Sequence, residues 1–361
     1  MKSDLFFKFF PVPKYLARVA VGFDISDYSV KFLELLPDQE NIKLGRYGER
    51  ALPAEVVVNG VIKNPTELVK VLASIKAENN FNYAYASLPE DKAFTFRLSL
   101  PPMKNEEIRN SIELQIGDFV PIPAPDCVFD YEIVGQGADG GVNVSVSALP
   151  KDIVEGYLSV FKNAGFELIG AEVEAQAIAR SLLSPADIGA YMIIDIGKIH
   201  TSFIVSCLGS VVFTSIINVG GEDITKFIEK NLGLSYDEAV KQKEKKGLLR
   251  SAENNDLFMS LIPVVSAMKD EINQRLSFWQ EHNTEGSGGE CRTIDKIILC
   301  GGQASLAGLR EYLEIGLGLP VELGNPWVNI CPTGDCVMPI KLNESLRYVT
   351  CLGLALRNFN F

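Results

Sequence analysis

Two aspartates occupy matching sequence contexts in the two halves of the chain. Asp24 lies in the segment VGFDIS and Asp195 in MIIDIG, so each acid follows an apolar run and precedes isoleucine and a small residue. A carboxylate at the end of a buried strand is costly to desolvate unless a cation offsets its charge. The small residue lets the backbone turn tightly and present N–H groups to a phosphate. Each acid alone is more typical of a structural cap at a strand end, but the matched pair favours a nucleotide site.

The matched contexts also predict a metal ion between the two acids. If the two segments are equivalent strands of a duplicated fold, Asp24 and Asp195 can face each other across a cleft. A Mg²⁺ ion that bridges phosphates and waters to both carboxylates would relieve their mutual repulsion. We therefore expect both acids to be metal ligands in a site for a magnesium-bound nucleotide.

Further residues could complete this site with hydroxyl groups, backbone amides and charges. Gly220-Gly221 precedes a predicted helix, whose N-terminal amides favour an anion, and Gly301-Gly302 follows a predicted strand and lets the backbone approach a flat ring or ribose. Glu238 and Lys241 are three residues apart and share a helical face, from which they could reach a ribose or base; a solvated ion pair is the alternative. The predicted nucleotide-binding residues are Asp24, Ser26, Ser29, Lys31, Asp195, Gly197, Thr201, Gly220, Gly221, Glu238, Lys241, Gly301, Gly302 and Ser305.

The elements around these residues repeat along the chain. A strand, an aspartate, a tight turn and a second strand begin near Val19 and again at Tyr191, and helices and further strands follow. Between about Leu88 and Gly170, a compact β-α-β-β-α unit with a proline run and a glycine-rich turn interrupts the first copy. The sequence therefore predicts an α/β protein that contains one topology twice, with a subdomain inserted in the first copy.

Composition and charge exclude several classes of function. The 361-residue chain has 34 Lys and Arg against 46 Asp and Glu, a formal charge of −12, whereas nucleic-acid binding needs a basic face. We therefore expect no nucleic-acid partner. We also find no apolar stretch of membrane-spanning length and no signal peptide. The seven cysteines are odd in number and scattered, so we expect no disulfide framework and a reduced, cytoplasmic protein.

The cysteines and histidines argue against a structural metal site and a nucleophilic catalytic site. Cys331 and Cys336 have a C-x4-C spacing without a second Cys or His pair, which favours buried small side chains over zinc ligands. His200 and His282, the two histidines of the chain, are not flanked by a motif typical of a Ser-His-Asp or Cys-His nucleophile.

The first twenty residues differ from the rest in charge and composition. They carry four basic side chains against one acid, with four phenylalanines between them and two prolines that end any helix. This tail could contact an anionic membrane surface or dock on a partner; folding over its own domain is the alternative. The residues predicted to make a membrane contact are Phe6, Phe7, Lys8, Phe9 and Phe10.

The motifs resemble, in order, those of the actin-like ATPases. The turns that contain Asp24, Asp195 and Gly301-Gly302 match the two phosphate motifs and the adenosine motif, and the segment CLGLA that begins at Cys351 resembles the second connecting motif. The resemblance implies a two-lobed fold of duplicated RNase H-like domains that binds ATP with Mg²⁺. The first connecting segment falls near Glu172 and Glu174. The candidates for a base or water-positioning group near the γ-phosphate are Asp24, Asp195, Glu172 and Glu174. We assign no catalytic residue.

Within that superfamily the chain resembles FtsA and, more closely, the PilM family of type IV pilus assembly proteins. Motifs that match this family include DIS at Asp24, FVP at Phe119, GLS at Gly233, GNP at Gly324 and GLALR at Gly353. The resemblance implies a cytoplasmic ATP-binding scaffold, peripheral to the inner membrane, with weak or no ATPase activity. The implied partner is the short N-terminal segment of a PilN-like inner-membrane protein, bound in a groove by the inserted subdomain, and pilus assembly ATPases are further implied partners.

The resemblance also divides the chain into units and leaves two other classes of function open. We predict a basic aromatic tail (1–20), a first lobe (21–87, 171–189 and 346–361), an SHS2-like insert (88–170), a second-lobe core (190–222 and 291–345) and a helical subdomain of the second lobe (223–290). One alternative is an FtsA-like self-polymerising cytoskeletal or division protein. The other is a small-molecule kinase of the same fold, for which we find no dedicated substrate motif.

Overall fold

Two five-stranded sheets form the framework of the molecule. The computed structural model describes residues 18–38, 41–136, 140–251, 254–282, 291, 293–331 and 337–359, so the tail residues 6–10 lie outside the described residues. The strands are β1 (Ala20–Ile25), β2 (Ser29–Asp38), β3 (Asn41–Ala51), β4 (Val57–Val58), β5 (Val61–Ile62), β6 (Tyr83–Leu88), β7 (Phe94–Leu100), β8 (Cys127–Gln136), β9 (Val142–Pro150), β10 (Glu167–Val173), β11 (Ala190–Ile196), β12 (Thr201–Cys207), β13 (Ser210–Ile217), β14 (Lys296–Cys300) and β15 (Val321–Leu323).

The first sheet has the strand order β10-β6-β1-β2-β3. β1, β2 and β3 are antiparallel neighbours, whereas β6 pairs parallel with β1 and β10 parallel with β6. Apolar side chains of β1 form the centre of the first core: the Phe23 ring lies 5.5 Å from that of Phe161 and 5.1 Å from that of Phe166. Such edge-to-face contacts between buried aromatic rings stabilise the core of this lobe.

The second sheet repeats this topology. Its order is β13-β12-β11-β14-β15, and β11 pairs antiparallel with β12 and parallel with β14, as β1 does with β2 and β6. Asp24 near the end of β1 and Asp195 near the end of β11 therefore occupy equivalent strands. This repeat confirms the predicted two-lobed fold with one topology present twice.

Helices cover both sheets and link the lobes. They are α1 (Pro65–Asn79), α2 (Asn105–Gln115), α3 (Lys151–Asn163), α4 (Glu174–Leu182), α5 (Gly221–Leu232), α6 (Tyr236–Lys246), α7 (Asn255–His282), α8 (Leu309–Leu317), α9 (Leu342–Ser345) and α10 (Val349–Leu356). α4 and α10 pack against each other, and α10 also contacts β1 and β2. Within the described part of the chain, none of these helices has the length and apolar character that a bilayer crossing requires.

A small three-stranded sheet forms the inserted subdomain. Its order is β7-β9-β8, and α2 covers one face with Ile108 and Ile112. α3, which the sequence grouped with this insert, packs on the first-lobe core through Tyr157 and Phe161. The Tyr157 hydroxyl also donates to the Gly60 carbonyl at 3.0 Å. The packing therefore places α3 with the first lobe, and the remaining domain limits stay predictions.

The expectation that the cysteines form no disulfide framework is wrong for the second half of the chain. Cys207 and Cys291 are bonded, with Cα atoms 5.9 Å apart, and Cys331 is also disulfide-bonded and is not a free buried thiol. Cys207 pairs with Ala190 in the sheet, and the Ala190 carbonyl accepts from the amide of Asp295 at 2.8 Å. The sheet thus brings Cys291 to Cys207 across 84 residues of sequence, a proximity that cysteine spacing does not reveal.

Candidate functional site

A cavity of about 750 Å³ lies between the two lobes. Its wall includes Asp24 from β1, Asp195 from β11, the Gly301-Gly302 turn after β14, and Arg347, which precedes α10. A cavity of this volume is in the range of sites for small molecules and cofactors. The structure thus brings together, from opposite lobes, the two acids whose sequence contexts match.

Asp24 is held by a lysine directly opposite it on β2. Asp24 and Lys31 are Cα partners, and the Lys31 Nζ lies 3.2 Å from the Asp24 Oδ2. The Ser87 hydroxyl donates to the Asp24 Oδ1 at 3.4 Å. Burial lowers the pKa of Lys31, but the Asp24 charge and smaller effects of Cys351 and Glu49 outweigh burial and raise this pKa overall. Lys31 is therefore the cation that a buried strand-end carboxylate needs.

The environment of Asp195 makes its charged form less favourable than in water. Burial and then the charge of Asp24 raise the pKa of Asp195 to about 6, although Lys31 acts in the opposite direction. Gly301 has a φ of 88°, and a Cβ at Gly301 would lie 2.1 Å from the Asp195 Oδ1. The glycine turn therefore lies directly beside a carboxylate whose charge an added cation would stabilise.

These donors fit a magnesium ion that takes part of its coordination from a nucleotide. Among the residues that the structure describes, no cluster of three or more His, Cys, Asp or Glu side chains could hold a metal ion. Mg²⁺ is usually bound by one or two carboxylates together with substrate phosphates and waters. Asp24 and Asp195 would hold the ion, and the raised pKa of Asp195 identifies the carboxylate whose charge is less compensated.

The two turns that follow these acids are fixed by hydrogen bonds within the protein. In the first, the Ser26 amide donates to the Ser29 carbonyl at 2.9 Å, and the Ser29 hydroxyl donates to the Glu49 Oε1 at 2.7 Å. In the second, the Gly197 amide donates to the His200 carbonyl at 2.9 Å. Both turns therefore line the cavity in a defined conformation.

The N-terminus of α5 is hydrogen-bonded to the second turn. The Gly221 amide donates to the Gly197 carbonyl at 3.0 Å, and the Glu222 amide donates to the Lys198 carbonyl at 2.8 Å. A Cβ at Gly220 would lie 2.6 Å from the Lys198 carbonyl oxygen. The helix amides that the sequence assigned to a phosphate thus bind the turn, and Gly220 and Gly221 do not line the cavity.

The helix α6 reaches the cavity through a residue other than the two that the sequence suggested. Glu238 accepts from the Ser235 hydroxyl at 2.7 Å and caps its own helix, and Lys241 is exposed. Lys243 is on the buried face, whereas Glu244 lines the cavity. A spacing of three residues identifies a shared face but not the direction in which that face points.

The predicted residues therefore separate into two groups. Those that line the cavity are Asp24, Ser26, Ser29, Lys31, Asp195, Gly197, Gly301 and Gly302, and those outside its wall are Thr201, Gly220, Gly221, Glu238, Lys241 and Ser305. The Thr201 hydroxyl donates to the Val219 carbonyl at 2.7 Å, so its proton already has an acceptor within the protein. Lining residues that the sequence did not single out are Tyr28, Glu49, Glu90, Asp91, Lys198, Gln303 and Arg347. Position within the two turns is the sequence signal that could have indicated Tyr28 and Lys198.

Two glutamates near the start of α4 have different surroundings. Glu172 is buried in an ion-pair network, where Arg180 binds both of its carboxylate oxygens and the Arg357 Nη1 lies 3.1 Å away. Glu174 lines the cavity, and burial followed by the charges of Asp24 and other nearby acids raises its pKa well above the usual value. Glu172 is therefore structural, whereas Glu174 is available to a ligand.

A third glutamate, Glu90, supports the start of α4. Its side chain is 4% exposed, and its Oε2 accepts from the Ala175 amide at 3.1 Å. Burial raises the pKa of Glu90 to about 6. Glu90 therefore fixes the backbone directly after Glu174 and adds to the acidic character of the cavity.

A duplicated topology, two linking helices and a cavity with one aspartate from each lobe define an actin-like ATPase fold. Solved structures with this fold resemble the chain over most of its length. A PilM-PilN type IV pilus biogenesis complex contains a chain with a TM-score of 0.77 and 21% identity, covering 95% of this chain and 99% of that one. The MreB5 protein of Spiroplasma citri, bound to AMPPNP, has a TM-score of 0.55 and 14% identity, covering 92% and 93%.

Sequence comparison identifies the family within this fold. The family model for type IV pilus assembly protein PilM matches residues 22–359. The chain belongs to the PilM family. The cell division protein FtsA of Staphylococcus epidermidis is 27% identical over 200 residues, which is 51% of this chain and 42% of that relative. The match to the curated relative therefore spans less than half of its length.

Proposed function

We propose that this protein is an ATP-binding scaffold of the type IV pilus assembly machine. The observation that supports the nucleotide site best is the cavity that one aspartate from each lobe borders. Asp24 and Asp195 would hold Mg²⁺, which supplies charge neutralisation for the triphosphate when bound. Gly301-Gly302 would border the adenosine, because two glycines leave the backbone there without Cβ atoms, and Gln303 lines the same part of the cavity.

Calorimetric titration with ATP tests the nucleotide site. We expect binding with Mg²⁺ present and loss of binding with EDTA, because the cavity wall is acidic and repels an uncompensated triphosphate. Asp24→Asn and Asp195→Asn should each abolish the Mg²⁺-dependent binding. Asp118→Asn, an exposed residue after α2, is the control and should bind as the wild type does. Equal ATP binding by all variants would contradict the proposed site.

The second part of the proposal concerns a docking surface for a partner. In the order β7-β9-β8, the strand β8 is at the edge of the inserted sheet. Its first residue, Cys127, pairs with Pro150, which directly precedes α3. Val128 of β8 is 40% exposed and Leu158 of α3 is 43% exposed. An edge strand beside exposed apolar side chains favours addition of an extended peptide as a further strand.

Charge supports the choice of partner. Exposed acids on the two elements are Asp130 and Glu132 on β8 and Asp152 and Glu155 on α3. A short segment with basic residues next to a membrane span would complement them. The PilM-PilN complex shows that a relative with this fold assembles with PilN. We therefore propose that the N-terminal cytoplasmic segment of a PilN-like inner-membrane protein docks between β8 and α3.

Titration of that N-terminal peptide tests the docking surface. Leu158→Arg should weaken peptide binding at least tenfold, because it places a cation and a bulky chain in the apolar part of the groove. Leu114→Arg on α2 is the matched control, since Leu114 is 88% exposed and lies on the helix that covers the insert. Equal loss in both variants, or no loss in either, would contradict docking between β8 and α3.

The proposed scaffold would act at the cytoplasmic face of the inner membrane. Weak or no hydrolysis is expected, with Glu174 as the residue that would hold a water near the γ-phosphate.

The tail residues 6–10 would add a membrane contact. Sedimentation with anionic vesicles tests this contact by comparing the wild type with a variant whose tail phenylalanines are replaced by serine. Cytoplasmic conditions keep most thiols reduced, so we expect Cys207 and Cys291 to be present there as adjacent thiols.

FtsA-like self-assembly is the second candidate function. The observation that favours it is the identity with FtsA over half of this chain. Pelleting after addition of Mg-ATP separates the two proposals, because a scaffold that binds one peptide stays in the supernatant whereas a polymer sediments.

A coupled assay for phosphoryl transfer to small molecules tests the kinase alternative. Pilus assembly ATPases are further proposed partners, which pull-down experiments test.

A further inference from the structure

Tyr28 and Lys198 meet across the cavity from opposite lobes. The Lys198 Nζ lies 4.0 Å from the centroid of the Tyr28 ring, well inside the range of a cation–π interaction. Both residues line the cavity, Tyr28 in the turn after β1 and Lys198 in the turn after β11. The contact therefore joins the two turns that follow Asp24 and Asp195.

The Tyr28 side of this contact is firmly attached to the first lobe. The Asp27 carboxylate accepts from the Asn59 amide at 2.7 Å and from the Gly60 amide at 3.1 Å. The Leu52 amide donates to the Tyr28 carbonyl at 2.7 Å. Movement of the Tyr28 ring away from Lys198 therefore requires movement of the lobe or rotation of the side chain.

The Lys198 side is attached to α5 through one glutamate. The Lys198 Nζ lies 3.9 Å from the Glu222 Oε2, and the Glu222 amide donates to the Lys198 carbonyl at 2.8 Å. The Tyr236 hydroxyl donates to the same Glu222 Oε2 at 3.0 Å. The ammonium group thus lies beside Glu222 as well as Tyr28, and hydrogen bonds hold both turns, so the contact links two anchored turns.

We propose that Tyr28 and Lys198 form a clasp that holds the two lobes together beside the turns that follow Asp24 and Asp195 and slows nucleotide release. The inference deepens the proposed nucleotide site and rests on it for the release rate. The clasp acts because separation of the lobes must break the contact, whereas closure restores it. Tyr28 is 41% exposed and the Lys198 side chain 48% exposed, so the contact is weak enough to open repeatedly.

Two measurements on the full chain test the clasp. Hydrogen–deuterium exchange of the protein without nucleotide reports whether the lobes are coupled. Lys198→Gln should speed exchange of the Asn59 and Gly60 amides, which are on the opposite lobe, and Tyr28→Leu should speed exchange of the Gly197 amide. Stopped-flow release of a fluorescent ATP analogue with Mg²⁺ should accelerate about two- to five-fold in both variants, as loss of an exposed cation–π contact predicts.

One control variant keeps the aromatic ring at position 28, and the other removes the charge of a different lysine. Tyr28→Phe retains the ring face and should behave as the wild type. Lys226→Gln removes a second lysine, 4.0 Å from Glu222, and should leave both exchange and release unchanged. The clasp is contradicted if Lys198→Gln changes exchange only in its own turn, or if Lys226→Gln gives the same acceleration. If the wild type does not bind Mg-ATP, the nucleotide proposal fails, and cross-lobe exchange still decides for or against the clasp.

Discussion

Gly353 of α10 lies directly on the backbone of Ala177 in α4. A Cβ at Gly353 would be 1.8 Å from the Ala177 carbonyl oxygen, and the Arg180 guanidinium donates to the Gly353 carbonyl at 3.1 Å. The two linking helices therefore meet backbone to backbone, which a glycine permits and any larger residue prevents. Relative movement of the lobes must be compatible with this contact.

Gly353→Ala is expected to destabilise the protein. The methyl group would overlap a main-chain carbonyl that cannot rotate away, so we expect a loss of about 1–3 kcal/mol or more in the free energy of unfolding. Gly156→Ala in α3 is the control, because a Cβ there meets nothing within 4 Å and alanine is the better helix former by about 0.5–1 kcal/mol. Chemical denaturation of both variants measures the difference. A stable Gly353→Ala variant would contradict the close contact.

Asp195→Asn should stabilise the protein without ligand at high pH. Burial and Asp24 raise the pKa of Asp195 from 3.8 to about 6, so the wild type loses stability as pH rises through that range and the acid ionises. The variant cannot ionise, and we expect it to be more stable by about 3 kcal/mol at pH 8 and equal below about pH 3. Thermal unfolding against pH, in EDTA, gives this comparison.

The same series needs an exposed acid as a reference. Asp118→Asn should show no pH-dependent gain, since this residue is exposed. A pH-independent difference between wild type and Asp195→Asn would mean that the asparagine alters packing, and would remove the electrostatic explanation.

Glu174→Gln should affect hydrolysis and leave ATP binding intact. If Glu174 positions or activates a water, its replacement by the neutral isostere should lower the single-turnover rate by about 10²–10⁴-fold. ATP affinity should stay equal or increase, because the substitution removes an acid from an acidic cavity. Rapid-quench measurement with labelled ATP gives the rate. An unchanged rate, with measurable wild-type hydrolysis, would exclude Glu174 from this role.

Glu172→Gln should have the opposite pattern. Glu172 is buried and bonded to Arg180 and Arg357, so loss of its charge leaves two cations without their common partner. We expect a loss of about 3 kcal/mol in the free energy of unfolding and little change in the rate of hydrolysis per folded molecule. Denaturant unfolding combined with active-site titration separates the two effects.

The sequence predicted those features that depend on local pattern. The contexts of Asp24 and Asp195 predicted equivalent strands and two acids at one cavity, because repeated strand-turn patterns fold alike. The sequence did not reveal that Glu244, and neither Glu238 nor Lys241, lines the cavity, because this depends on how α6 packs on α5. The bond between Cys207 and Cys291 was also not accessible, because sheet pairing and not spacing brings these residues together.

The contact between Tyr28 and Lys198 depends on the relative placement of the two lobes. Each residue lies in a turn that the sequence identified, but the distance between them is set by how the two lobes face each other. No periodicity or spacing contains that information. The same is true of Glu90, which reaches the Ala175 amide from a position 85 residues earlier in the chain.

A crystal structure of the protein with Mg-ATP tests the central claim most directly. We predict a magnesium ion between the lobes, with the carboxylates of Asp24 and Asp195 both oriented towards it, directly or through waters, and the adenosine beside Gly301-Gly302. A nucleotide bound elsewhere, or a metal ion that only one of the two acids approaches while the other remains directed into its own lobe, would contradict the account.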